Sequence, residues 1–95
     1  MICFAAPLEV WTNDEGRAHF VTVPEPFASE IKAHAMLVRR GFGSAKVEVT
    51  VNGLTWRTSV FPARSGGYFL PIKIAVVRGA ALVPEAIAQI ALELL

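Results

Sequence analysis

The sequence predicts a mainly β domain, a small β-barrel or sheet carrying one or two short helices. Three observations carry that reading. The segment Lys46–Phe61 alternates at period two on both sides of Asn52-Gly53. That dipeptide suits a two-residue type I′ hairpin turn, which needs positive φ at both positions. Further alternating runs are punctuated by glycine, proline and acidic clusters at short intervals. Finally, 54% of the 95 residues are apolar and only 18% are charged. A chain this short buries only roughly 60–65% of its unfolded surface, so so much apolar surface calls for a closed barrel or a subunit contact.

The elements follow in order. Ile2–Trp11 reads as a first strand, with Pro7 marking a sheet edge or a bulge. Thr12-Asn13-Asp14-Glu15-Gly16 is a polar turn. Arg17–Val23 alternates as a second strand paired with the first, and Pro24-Glu25-Pro26 stops it. Phe27–Met36 places Phe27, Ile31 and Ala35 on one helical face, with prolines and an acidic residue at its start. Arg39–Ser44 is a glycine-hinged loop. In the hairpin, Val51 faces Leu54, Val49 faces Trp56 and Val47 faces Thr58 on an apolar side, which predicts a largely buried Trp56. Thr50 then faces Thr55, and Glu48 faces Arg57, on the other side.

Pro62–Gly67 is a turn, and Tyr68–Lys73 is a strand whose Pro71 reads as an edge signal. Ile74–Ala81 suits a short helical turn. In the tail, helix propensity and a proline at a first helical position compete with strand-like alternation of Ala88, Ile90, Leu92 and Leu94 against Gln89, Ala91 and Glu93. No repeat or linker interrupts the chain, so residues 1–95 form a single domain of about six strands.

Net charge is +1, so no global field draws nucleic acid or membrane. The single Cys3 excludes an intramolecular disulfide and fits a reducing compartment. The apolar start lacks the basic and long apolar regions of a signal peptide, and no stretch has the length of a membrane span. A cytoplasmic protein without membrane contact is expected.

Candidate chemistry is sparse. Arg39 and Arg40 beside Gly41, Gly43 and Ser44 could form a backbone nest for an anion; the plainer role is a loop whose arginines meet a helix carboxyl end. No helix opens after it, so it is not a P-loop of the nucleoside-triphosphatase type. Arg57, Arg64, Lys73 and Arg78 could join Arg39 and Arg40 in a basic patch for nucleic acid. The near-zero net charge weighs against that, and Arg57 is already matched to Glu48. His19 and His34 lack partners at metal-ligand spacing, Glu30 one turn before His34 notwithstanding. Ser44, Ser59 and Ser65 have no nucleophile motif or evident base. Cys3 lies in a strand and is expected to be buried and inert. Trp11, Trp56 and Tyr68 are the better pocket aromatics, since each has a polar atom that needs a partner.

The expectation is therefore a non-enzymatic binding or interaction module for a small ligand or protein, with no catalytic residue, metal or cofactor. Its contact surface would comprise Arg39, Arg40, Gly41, Gly43, Ser44, Arg64, Tyr68 and Lys73. The alternative is a nucleic-acid-binding barrel using the arginines. A monomer is expected ahead of a dimer joined through the terminal strand or a swapped hairpin.

A family pattern runs through the same residues. An opening Phe and a Val-Pro before a short helix precede Arg40-Gly41-Phe42-Gly43-Ser44 and a Val-x-Val-x-Val strand. Asn52-Gly53, Trp56-Arg57-Thr58-Ser59, Phe61-Pro62, Gly66-Gly67-Tyr68, Leu70-Pro71-Ile72-Lys73 and Val77-Arg78 follow. Together these resemble the bacterial domain of unknown function one-nine-zero-five. The resemblance implies a small closed or partly open barrel similar to the double-split and swapped-hairpin barrels, a domain that also occurs beside bacteriocin-protection-type domains. It supplies no catalytic residue. The family's Gly-Asp turn before the last strand is missing, replaced by Leu82–Ala88. Its alternating final strand survives, so Ile87–Leu94 is expected as a strand that closes an open edge.

Overall fold

The computed structural model describes residues 1–38 and 43–95. Its strands are β1 (Ile2–Pro7), β2 (Glu9–Asn13), β3 (Gly16–Val23), β4 (Ala45–Val51), β5 (Leu54–Pro62), β6 (Tyr68–Ile72) and β7 (Ile87–Leu94). Two helices, α1 (Phe27–Val38) and α2 (Ile74–Gly79), complete the described residues. The strands form one antiparallel sheet in the order β1-β7-β4-β5-β6-β3-β2. The sheet curls so that β1 also approaches β3, giving the mainly β half-barrel that the sequence predicts.

Period-two alternation builds the core. Ile2, Phe4 and Ala6 of β1, Val47, Val49 and Val51 of β4, and Ala88, Ile90 and Leu92 of β7 all face inward. Val21 and Val23 of β3 and Leu70 and Ile72 of β6 do the same from the other half. Helix α1 closes over them with Ala28, Ile31 and Ala35. Two of these positions are alanines, which lets the helix approach the strands closely, and Phe27 at its start stacks on Phe4 with ring centroids 6.1 Å apart.

The hairpin register is the one read from Asn52-Gly53: Val51 pairs with Leu54, Val49 with Trp56 and Glu48 with Arg57. Asn52 and Gly53 have φ of 49° and 80°, as a type I′ turn requires. The outward face carries the Thr50–Thr55 hydroxyl contact at 2.8 Å and the Arg57–Glu48 pair at 3.1 Å. With Arg57 73% exposed, that pair adds little stability. Trp56 is half-buried rather than largely buried. The reason is that β5 pairs with β6 only at Phe61 and Pro62, so no strand of the β6 side covers the Leu54–Trp56 end.

Two other expectations change. The first strand divides at Leu8 into β1 and β2, which lie at opposite ends of the sheet, so the six expected strands become seven. The strand containing Pro71 is interior, between β5 and β3. Its ladder to β5 has already ended at Phe69, so the proline sits where one side needs no donor. The strand choice for Ile87–Leu94 is correct to the residue. It lies between β1 and β4 rather than at an edge, so the C-terminal strand offers no open flank for another chain.

The segment that replaces the expected Gly-Asp turn uses two non-glycine residues at positive φ, Ala81 at 54° and Glu85 at 69°. After α2, Ala81 N–H donates to Arg78 O (3.2 Å) and Leu82 N–H to Val77 O (2.8 Å). This is a Schellman motif with alanine where glycine is usual. Next, Ala86 N–H donates to Val83 O at 3.1 Å. Pro84 and Glu85 are the central residues of that turn, and Glu85 holds the third position, which favours glycine in a type II turn.

Two stability outcomes follow from this geometry. Ala81→Gly and Glu85→Gly should each raise the denaturation midpoint by the equivalent of about 0.5–1 kcal/mol, because relief of left-handed strain outweighs the added freedom of the unfolded chain. Asn52→Ala combined with Gly53→Ala should cost on the order of 1–3 kcal/mol. It removes both positive-φ residues and the 2.7 Å bond from Asn52 Nδ2 to Ala80 O. An unchanged urea midpoint in either experiment would contradict the turn assignments.

Candidate functional site

A groove of about 660 Å³ lies between α1 and the β5–β6 turn. One wall is the outer flank of α1. Glu25 stands just before the helix, and its Oε2 accepts from Ser29 Oγ at 2.7 Å and Ser29 N at 3.3 Å. This interaction tethers the first turn and aligns Glu25 with Ser29 and Lys32 along one flank. Met36, 69% exposed, gives that wall its apolar surface, with the buried Ala28 and Ala35 at its base.

The opposite wall is the turn from Pro62 to Gly67. It is closed by Ala63 N–H donating to Gly67 O and Gly66 N–H donating to Ala63 O, each at 3.0 Å. Gly66 and Gly67 have φ of 92° and 76°, so this tight reversal suits glycine.

Tyr68 and Gly43 form the end where the walls meet. The Tyr68 hydroxyl donates to Gly43 O at 2.7 Å, and a β-carbon on Gly43 would lie 3.6 Å from that hydroxyl. Tyr68 is 4% exposed. Desolvation by burial raises its pKa above the ordinary tyrosine value.

Of the residues expected at the contact surface, Gly43 and Tyr68 touch and line the groove. Ser44 follows Gly43 and Arg64 lies on the β5–β6 turn, but neither is among the residues that line it. Lys73 is not among them. It lies beyond the other end of β6, roughly 17 Å along the strand from Tyr68, where it borders a separate hollow with Arg17 and His19. Arg39, Arg40 and Gly41 fall outside the described residues. Glu25, Ser29 and Lys32 were missed by sequence reading. Ser29 and Lys32, three residues apart, share one helix flank, which was the available signal for those two, and Glu25 joins them through its bonds to Ser29.

Other candidates separate. Arg57 is tied to Glu48 on β5, whereas Arg64, Lys73 and Arg78 occupy three further segments. His34 Nε2 lies 3.2 Å from Leu95 O, and His19 sits opposite Ile72 in the sheet. Cys3 is exposed, not buried, because the inward positions of β1 are the even-numbered ones. Among the described residues, no group of three or more His, Cys, Asp or Glu side chains is placed to hold a metal ion. No helix among them is long and apolar enough to cross a membrane.

The Tyr68 environment gives a pH prediction. Its raised pKa means that the neutral phenol is favoured in the folded state. The associated stability is complete below the unfolded value near 10 and is lost as pH rises through the higher folded value. Tyr68→Phe should cost about 1 kcal/mol at neutral pH through the lost hydrogen bond. It should also flatten the alkaline fall in stability, read from urea midpoints between about pH 8 and 11. An alkaline limb identical in both proteins would contradict this assignment.

No curated protein matches the chain significantly. A family model described as "Domain of unknown function (DUF1905)" matches residues 4–92. The match runs from β1 into β7 and includes the groove, the hairpin and the sheet crossing at Leu8. The chain belongs to the DUF1905 family.

Proposed function

We propose that this domain is a non-enzymatic binding module whose ligand occupies the groove between α1 and the β5–β6 turn. The observation that carries this reading is the convergence on one groove of three features from distant parts of the chain. These are the Glu25–Ser29–Lys32 flank, the Tyr68–Gly43 contact and the glycine turn. The walls offer Met36 and Pro62 to an apolar body. Lys32 and Glu25 offer opposite charges to its polar ends. Such mixed lining fits a small organic ligand or a short segment of a protein better than a polyanion. Concave sites with an apolar wall and a few placed polar groups are the usual form of ligand pockets. The basic residues that a nucleic-acid reading needs are divided among separate elements, one of them already paired.

A thermal-shift screen of small organic molecules and short peptides tests the reading. A ligand at about a hundred times its Kd should add about 2.7 kcal/mol to native stability, a rise in Tm of roughly 10 °C or more for a domain of this size. Ser29→Phe, which fills the groove from an exposed position, should abolish the rise, and loss of the Ser29 Oγ–Glu25 bond should lower the unliganded Tm by the equivalent of no more than about 1 kcal/mol. A hit that Ser29→Phe leaves unaffected places its ligand elsewhere and overturns the assignment. Micromolar binding of single-stranded DNA with a steep salt slope would instead favour the polyanion.

A further inference from the structure

Two hollows on the β3–β6 half of the sheet share a boundary. The first, of about 460 Å³, lies on the outer face and is walled by Trp11, Phe20 and Phe69. The second, of about 560 Å³, lies where the β3–β6 ladder ends and is bordered by Arg17, Lys73 and Ile74. Ala18, His19 and Pro71 line both. An aromatic hollow thus opens directly into a cationic one.

Strand register explains the junction. Ala18 is paired with Trp11 on β2. On its other flank, β6 ends at Ile72, opposite His19. Lys73 continues β6 in extended backbone, with φ −67° and ψ 149°, so the same register sets it across from Ala18. An alanine therefore stands between a tryptophan and a lysine. With strands about 4.8 Å apart, those two side chains rise roughly 10 Å from one another at their bases. The methyl group of Ala18 leaves the space between them open. The first amides of α2 add nothing here, since Val76 and Val77 N–H both donate to Lys73 O. The positive charge at this end comes from side chains.

That charge is unbalanced. No carboxylate lines either hollow. Glu9, on the same strand as Trp11, has its carboxylate engaged by Thr22 Oγ1 at 2.5 Å, away from Ala18. Among the described residues, neither Arg17 nor Lys73 has an ion-pair partner. Trp11, 56% exposed, offers a ring face that the fold does not cover.

We propose that the joined hollows form a binding site for a small aromatic carboxylate. Its ring lies over Ala18 against Trp11 and Phe20, and its carboxylate sits beside Lys73 and Arg17. The size of the aromatic hollow falls in the usual range for ligand sites, roughly 300–1,000 Å³. Ring contacts with tryptophan and phenylalanine favour an aromatic body, and charge-assisted bonds from ammonium and guanidinium favour an anionic end. Each half alone leaves the other unmatched. The site is open to solvent on one side and takes a ligand of a dozen or so heavy atoms, so its Kd is on the order of 1 mM. That is too weak for the large rise in Tm expected of the groove's ligand.

Titration with naphthoate to about 10 mM, ten times that Kd, tests the site by proton–nitrogen correlation spectra. The Trp11 indole signal, assigned by its loss in Trp11→Phe, should move and saturate. Naphthamide, which keeps the ring and lacks the charge, should bind about tenfold more weakly, as should inorganic phosphate, which lacks the ring. Lys73→Gln should weaken naphthoate several-fold and leave naphthamide unchanged, a split that a general structural change would not produce. Lys73 makes no side-chain capping bond, so the variant leaves α2 intact. Ala18→Leu should abolish binding of naphthoate by filling the space between Trp11 and Lys73. Both positions are exposed, so far-UV circular dichroism and the urea midpoint should match the parent. Three results would each overturn the proposal: a Trp11 signal that does not move, naphthamide or phosphate binding as tightly as naphthoate, or a naphthoate titration that Ala18→Leu or Lys73→Gln leaves unchanged.

Discussion

The architecture depends on the backbone clamp at Leu8. The chain leaves β1 at one end of the sheet and begins β2 at the other with a single residue between them. That connection is possible only if the sheet curls until its two ends meet. Leu8 marks the meeting point. Its N–H donates to Ala86 O at 3.1 Å, its carbonyl accepts from Glu85 N–H at 2.7 Å, and its side chain is 0% exposed. The clamp satisfies both polar groups of a residue that has left one ladder and not yet joined the next. An orphaned buried backbone group would otherwise cost on the order of 1–3 kcal/mol. It also explains why Glu85 is held at positive φ without glycine. The turn must aim its N–H at Leu8, and the sheet connection compensates for the local strain.

Sequence reading succeeded where a local signal had one structural solution. Asn52-Gly53 specifies its own turn, and a two-residue turn leaves one register. The tail shows the limit of propensity: Pro84–Leu95 favours a helix residue by residue, yet β7 is a strand. Neighbouring strands on both flanks of β7 satisfy its backbone, and Ala88, Ile90 and Leu92 fill the core. Tertiary context overrides helix propensity of that size. The division at Leu8 was not legible for the opposite reason. Ile2–Trp11 alternates without a break in type, and nothing local records that its halves pair with β7 and β3, about seventy residues apart in sequence. The same blindness made Pro71 look like an edge marker, because the sequence does not show that the β5 ladder stops short of it.

The groove was half legible. Gly43 and Tyr68 stood out because glycine clusters and a polar aromatic are uncommon enough to draw notice. Glu25, Ser29 and Lys32 did not, because charged residues on a helix are ordinarily read as its solvated face. Only the turn opposite turns that face into a wall. Lys73 was drawn in by proximity in sequence to Tyr68, but a five-residue strand carries it to the far end of the sheet. A strand separates what it joins by about 3.3 Å per residue, so closeness in sequence is a poor guide to a shared site here.

The groove and the outer aromatic face are not independent surfaces. Ala63, Gly66 and Tyr68 line both the groove and the hollow that contains Trp11, Phe20 and Phe69. The β5–β6 turn is therefore a partition between them, held by the Ala63–Gly67 and Gly66–Ala63 bonds and free of a side chain at Gly66 and Gly67. A strand alternates its side chains between faces, so β6 sends Tyr68 and Leu70 inward and Phe69 and Pro71 outward from the same backbone. Displacing that backbone moves both sets together. Two occupants, one on each side, are coupled through it if both prefer one position of the partition, each then changing the other's affinity by the same factor. With one layer of strand between core and solvent, the groove and the outer hollow share the residues of a single turn.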